Sequence, residues 1–308
     1  MTPLVAENNL PKDRPASSMG TILKLPGSHL MNASVSRTPV EVPINPRHPE
    51  FHLSECLARD WHSGDPFKTA FFNALSLTFP KGERFFIDSV RAFQRDIDDP
   101  KLSQEIRGFI GREAIHSREH QQFNEALCRV RGYDAAFIDT RIDLDTQWAN
   151  KNLEAITRLG ATVATEHLTA ILGNALLTNP AWLDGADPRM AAMWRWHAIE
   201  EVEHKAVAFD TYFAAGGKAN VLRTMLRVET WQLFRHVFAG IRMMLKANGL
   251  HLKPSVWWGG IKWLFGSAGI LRSVVPEWRR FTRKDFHPWE VDNRDLIQHW
   301  QANAVNAA

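Results

Sequence analysis

Between Phe67 and Gly217 apolar residues recur at steps of three and four, the period of one helix face, and no run alternates with the period of a strand. The residues between these runs set their ends. Pro66 opens a first helix predicted to reach Thr78, and Pro80 opens or kinks a second stretch to about Asp96. Asp99-Pro100 pairs an N-capping carboxylate with a proline at the first helical position, starting a run that Gly132 closes. A third helix is predicted from about Thr146 to Thr178. Asp187-Pro188 repeats the start signal, and Gly216-Gly217 closes a fourth helix of about 28 residues. Four long helices with short connections predict an all-α chain, a ferritin-like antiparallel four-helix bundle over residues 51–217 with additional C-terminal helices.

The flanks read differently. Residues 1–50 are rich in Pro, Ser, Thr and Asn and carry no period, which predicts a disordered or extended arm. The net charge of +3 hides an asymmetry: residues 218–285 hold thirteen Lys/Arg against three Asp/Glu, leaving 24 and 31 for the remainder. The same segment holds five of the twelve tryptophans. Residues 218–250 form an amphipathic helix, and 254–275 are nearly apolar but interrupted by Lys262, Arg272 and several glycines, too short between charges to span a bilayer. Two readings of residues 218–308 stand open: helices packed on the bundle, or a face lying on an anionic membrane surface through 218–285. Nucleic acid is not an expected partner, because no recognition motif accompanies the charge. The opening MTPLVAENNLPKDRPASS has no basic region followed by an apolar run, and Cys56 and Cys128 are too few for a disulfide framework. The expected location is the cytoplasm, with peripheral contact at the inner face of the membrane if the basic tail binds lipid.

Each inward stripe of the predicted bundle carries ionisable residues near its middle. The first reads Phe79, Glu83, Phe86, Val90, and the second Ile106, Phe109, Glu113, His116, His120, Phe123. The third reads Leu159, Val163, Glu166, Ala170, and the fourth Trp194, His197, Glu201, His204, Ala208. Four uncompensated carboxylates at a core would cost more than the ~5–15 kcal/mol that holds a typical domain together. Two divalent ions would balance Glu83, Glu113, Glu166 and Glu201. Glu-x-x-His sets both side chains on one helix face, so Glu113/His116 and Glu201/His204 reach one ion or neighbouring ions. A lone Glu from each of two helices plus Glu-x-x-His from each of the other two is the dinuclear carboxylate arrangement.

His197, four residues before Glu201, is a candidate third nitrogen ligand. For His120, four after His116, a ligand role and a supporting role stand level. Glu200 could replace Glu201 in register, and Glu203 is expected to pair with a base on the outside. His167 is expected to pack rather than ligate, and Tyr212 to be a core tyrosine.

The segments FIGREAIHSREHQQFN (109–124) and WRWHAIEEVEHKAVAFDTY (194–212) closely resemble the bacterial family of predicted metal-dependent hydrolases. Glu83 and TEHLTA (165–170) fit the same pattern, so the resemblance covers about residues 45–285. By ligand pattern alone the set is also similar to the di-iron aminoarene N-oxygenases, in which the extra histidine would correspond to His197.

Oxygen and imidazole ligands without thiolate suit iron or manganese, with zinc as a further option. The reading taken from the sequence is a two-iron oxidase or oxygenase. It would use O₂, an electron donor and an apolar, aromatic or lipid-like substrate, because the stripe residues around the ligands are Phe86, Phe109, Phe123 and Trp194. The alternatives are a metal-dependent hydrolase using an activated water and a metal-storage bundle without turnover. Against the hydrolase stands the expectation that no arginine lies on the inner stripes.

Overall fold

Asp65 starts the first helix by accepting hydrogen bonds from the Phe67 and Lys68 amides, and α1 then runs unbroken over Pro66–Arg91. The computed structural model describes residues 35–305, apart from His52, Ser54 and Ala268. Among the described residues the chain is helical, with one isolated bridge between His62 and Ala186. Most of the expected arm, residues 1–34, lies outside the described residues; residues 35–50 form neither helix nor strand and turn once, where the Val42 amide donates to the Pro39 carbonyl.

Pro80 does not divide α1, contrary to the expected kink or new start. A proline inside a helix frees the carbonyl four residues earlier, here that of Ser76. Asn124 Nδ2 on the neighbouring helix donates to that carbonyl at 2.9 Å, and Ser117 Oγ donates to the Pro80 carbonyl. The helix therefore continues and carries Glu83 to its place.

α2 covers Pro100–Arg131 as the Asp99-Pro100 signal predicts, ending at Gly132 in the left-handed conformation. The next segment departs from expectation. A separate helix α3, Ala135–Asn152, starts at an Asp134 cap and stops at an extended Leu153, and α4 runs only over Ala155–Thr178. The connection between α2 and α4 is therefore a helix laid across α1 and the later helix α7 (Ala219–Ala247) rather than a short loop. α5 occupies Pro188–His204, and the expected continuation is interrupted at Lys205-Ala206 before α6, Val207–Ala214. The interruption falls where Lys205 turns inward, its ammonium held by the Val291 carbonyl and Asn293 Oδ1.

The bundle consists of α1 against α2 and α4 against α5, with α1 also meeting α4 and α2 meeting α5 and α6. Gly173 sets the α4–α5 distance, since a Cβ there would sit 2.9 Å from the Ala198 carbonyl oxygen. Gly108 does the same for the extended segment before the bundle, whose Ile44 carbonyl lies where a Cβ would stand.

The basic tail forms α7 (Ala219–Ala247), α8 (Pro254–Phe265), α9 (Ile270–Arg280) and α10 (Arg294–Val305). α7 packs on α1 and α4 through Leu222, Leu226, Val237 and Ile241. The other faces of α7 and α8 leave Trp231, Phe234, Phe238 and Trp258 exposed. No described helix is long and apolar enough to cross a membrane.

Candidate metal centre

The four stripes converge. Glu83, Glu113, His116, Glu166, His197, Glu201 and His204 are all buried, with Glu113, His116 and His204 wholly inaccessible. Six of them fall into two groups of three, Glu83/His116/His197 and Glu113/Glu201/His204, and within each group one ligand-type atom per residue lies within 4.8 Å of the others. The groups adjoin: His116 Nδ1 is 3.3 Å from Glu201 Oε1, and His197 Nε2 is 3.3 Å from the same oxygen. His204 Nε2 faces Glu113 Oε1 at 3.2 Å and Glu166 Oε2 at 3.4 Å. Glu166 thus stands beside the second group, on the helix that the Gly173 contact draws against α5.

The donor set fits cations. Both carboxylate oxygens of Glu83, Glu113 and Glu166 are buried without a hydrogen-bond donor, as are His116 Nδ1 and both ring nitrogens of His204. Orphaned buried groups of this number are expensive. Burial, reinforced by neighbouring carboxylates, drives Glu83, Glu113 and Glu166 well above the usual carboxylate range. Only added positive charge lets these groups ionise together. An oxygen–imidazole set without sulfur suits hard or borderline divalent ions.

A family model described as predicted metal-dependent hydrolase matches residues 45–292. The chain belongs to that family. No curated protein and no solved structure matches the chain, so the likeness to the di-iron N-oxygenases gains no support beyond the ligand pattern.

In this member of the predicted metal-dependent hydrolase family, the histidines are oriented from behind. Ser76 Oγ donates to Asn124 Oδ1 at 2.7 Å, so toward His120 Nδ1, 2.8 Å away, it acts as acceptor. His120 Nδ1 then carries the proton, and His120 Nε2 accepts from His197 Nδ1 at 2.9 Å. His197 Nε2 is left with its lone pair facing Glu201, the tautomer a cation requires. Burial holds His120 well below its ordinary pKa and His197 down at about 3, so both rings are neutral. His120 lies one step behind the two groups.

Glu200 orients the other side. It is fully buried and accepts from His116 Nε2 at 2.9 Å, which leaves Nδ1 toward the cluster. It therefore does not stand in for Glu201. Burial alone would raise the Glu200 carboxyl, but His116, Arg112 and Arg47 hold it at about 2. Glu203 is buried rather than outside, bound by Arg47 at 2.7 Å and by Arg112 at 2.7 Å. Arg112 is itself wholly buried, and its guanidinium also donates to the Asn45 and Pro43 carbonyls. Arg112 does not lie on the inner stripe, as expected, but it is buried all the same: it sits one position from Glu113, and the segment at 43–47 covers that face of α2.

Thr169 is a further functional residue absent from the stripes; its hydroxyl donates to Glu201 Oε2. Its position one turn after Glu166 was the available signal. The remaining expectations have simple outcomes. His167 bonds the Glu277 carbonyl and lies against Phe281. Tyr212 exchanges hydrogen bonds with Lys218 in the core. The apolar wall is formed by Phe79 stacked on His197, Phe109 against His204 and Trp194 near His120.

Proposed function

We propose that the protein is a hydrolase dependent on two divalent metal ions of iron, manganese or zinc. Glu83, His116 and His197 would hold one ion, and Glu113, Glu201 and His204 the other, with Glu166 beside the second. The observation that carries this reading is the pair of adjoining groups of buried carboxylate and imidazole side chains, in which both oxygens of Glu83 and Glu113, His116 Nδ1 and both nitrogens of His204 lack hydrogen-bond partners. The family description supports hydrolysis over the other reactions such a site can serve.

When bound, two such ions supply Lewis acidity that makes a water nucleophilic near neutral pH and polarises the bond to be cleaved. The chain's own residues do the rest. Glu200 and His120 fix the tautomers of His116 and His197, and Thr169 holds one Glu201 oxygen in place. Phe79, Phe109 and Trp194 exclude bulk water, which strengthens electrostatic interactions within the site. Arg112 and Arg47 balance Glu200 and Glu203, so the acidic outer residues do not repel the acidic inner ones.

Elemental analysis of the purified chain is the direct test. Close to two ions per chain are expected, lost in Glu113→Ala and His204→Ala with helical content retained; a metal-free wild type would end the reading. A second reading, the O₂-dependent oxidase or oxygenase, is favoured by the aromatic wall against the ligands. Anaerobic loading with iron(II) followed by O₂ separates the two. Stoichiometric O₂ uptake supports the oxidase, whereas metal-dependent cleavage of ester substrates without O₂ uptake supports the hydrolase. Metal binding with neither activity supports storage.

A further inference from the structure

Between α1, α4 and the tail helices α7–α9 runs a cleft of about 630 Å³, within the ~300–1,000 Å³ usual for small-molecule sites. Its floor is buried, at Phe67, Leu168 and Ile171 among others, and its mouth is rimmed by the exposed Phe234, Ile261, Phe265 and Val275.

The chemistry of the lining defines the occupant. Of twenty lining residues, only Thr230, Trp257 and Trp278 carry polar side-chain atoms. All three are already engaged: Trp278 Nε1 donates to Thr230 Oγ1, Thr230 donates to the Leu226 carbonyl, and Trp257 Nε1 donates to the His251 carbonyl. The cleft therefore offers nothing to a polar metabolite. It suits an alkyl or acyl chain.

Its position relative to the metal ligands is the second observation. Phe71, Leu75, Leu172 and Leu233 line this cleft and also line a void of about 40 Å³ whose lining includes His197 and Glu201. These four apolar side chains face both spaces. A surface made only to rest on a membrane or a second copy has no need of a recess that ends at buried ligand-type residues.

We propose that the cleft holds the apolar chain of the enzyme's own substrate, an acyl- or alkyl-chain amphiphile whose reacting end passes Leu172 and Leu233 into the void beside His197 and Glu201. This inference rests on the metal-centre reading for its second half, and its test reads the two halves separately.

The first readout is binding of the fluorescent fatty acid cis-parinaric acid to the full chain, without added metal. Saturable binding is expected, displaced by oleic acid but not by butyric acid. Val275→Trp and Ile261→Trp fill the mouth from exposed positions and should weaken binding by at least about tenfold. The second readout is the visible absorption of the cobalt(II)-loaded protein. Oleic acid should change it, and Leu233→Trp should abolish that change while parinaric acid still binds. Absence of saturable binding, binding indifferent to both mouth substitutions, or signal only with added phosphatidylglycerol vesicles would overturn the cleft assignment. Chain binding with no cobalt uptake would instead remove the metal reading and the passage to it, leaving the cleft as a chain-binding site. An unchanged cobalt spectrum in a protein that binds both would remove only the passage.

Discussion

His120 Nε2 accepts a hydrogen bond from His197 Nδ1 across 2.9 Å, and this contact decides which nitrogen of His197 faces the ligand cluster. The decision is made further back. Pro80 frees the Ser76 carbonyl, Asn124 Nδ2 binds it, and Asn124 Oδ1 then takes the Ser76 hydroxyl proton. Asn124→Leu should break this relay, and loss of such supporting partners costs typically ~10–100-fold in metal affinity. It should also destabilise the fold by about 1–3 kcal/mol, because two buried partners lose their hydrogen bonds. Metal titration and thermal unfolding of the variant check the two effects. The expectation fails if metal affinity is unchanged.

Glu200 performs the corresponding service for His116. Glu200→Gln keeps the shape but removes the charge, so metal affinity should fall while helical content stays. Competition with a chelator of known affinity measures it. The same substitution at the exposed Glu125 should have no effect.

Arg112 and Glu203 form a wholly buried pair. Removing one partner from such a pair costs about 3–5 kcal/mol, because a charge is left without compensation. Arg112→Met should therefore destabilise strongly, and Arg112→Met with Glu203→Leu should recover part of the loss. Arg47 limits that recovery, since it also binds Glu203. Denaturant titrations of the single and double variants give the comparison.

Glu229 on α7, outside the ligand set, supplies a further pH dependence. Burial and the nearby Asp145 raise its carboxyl to about 7, against a hydrogen bond with Thr165 that lowers it. Asp145 is itself paired with Arg235 and His236, and Glu83 faces the same space from α1. A folded-state pKa above the unfolded value means that the folded state holds the proton more tightly. The contribution from Glu229 is present in full below about pH 4.5 and is lost as pH rises through about 7. Glu229→Gln should flatten that part of the stability profile, measured by unfolding midpoints across the range.

How far the sequence could be read differs between the stripes and their surroundings. Glu83, Glu113, His116, Glu166, His197, Glu201 and His204 were legible because each interrupts an apolar stripe at helical spacing, and the structure brings them together. α3 was missed because its start signal is a lone Asp134 without proline and its faces are largely polar. Pro80 misled because tolerance of a proline depends on a side chain from another helix, which periodicity within α1 does not contain. Glu203 was misjudged, and the buried Arg112 beside it not anticipated, for the same kind of reason. Their burial is imposed by a segment with no period of its own.

That segment has a consequence for how the protein can be divided. Val42 and Ile44 are buried, the Pro43 and Asn45 carbonyls receive the Arg112 guanidinium, and Arg47 reaches Glu200 and Glu203. Counted by helices, a minimal fragment would begin at α1. Counted by charge, it begins two dozen or so residues earlier, because the helix-free lead-in supplies the counter-ion and the roof for an acidic interior. A shortened chain or a grafted bundle that omits it would inherit the ligands without the electrostatic neutrality that lets them coexist.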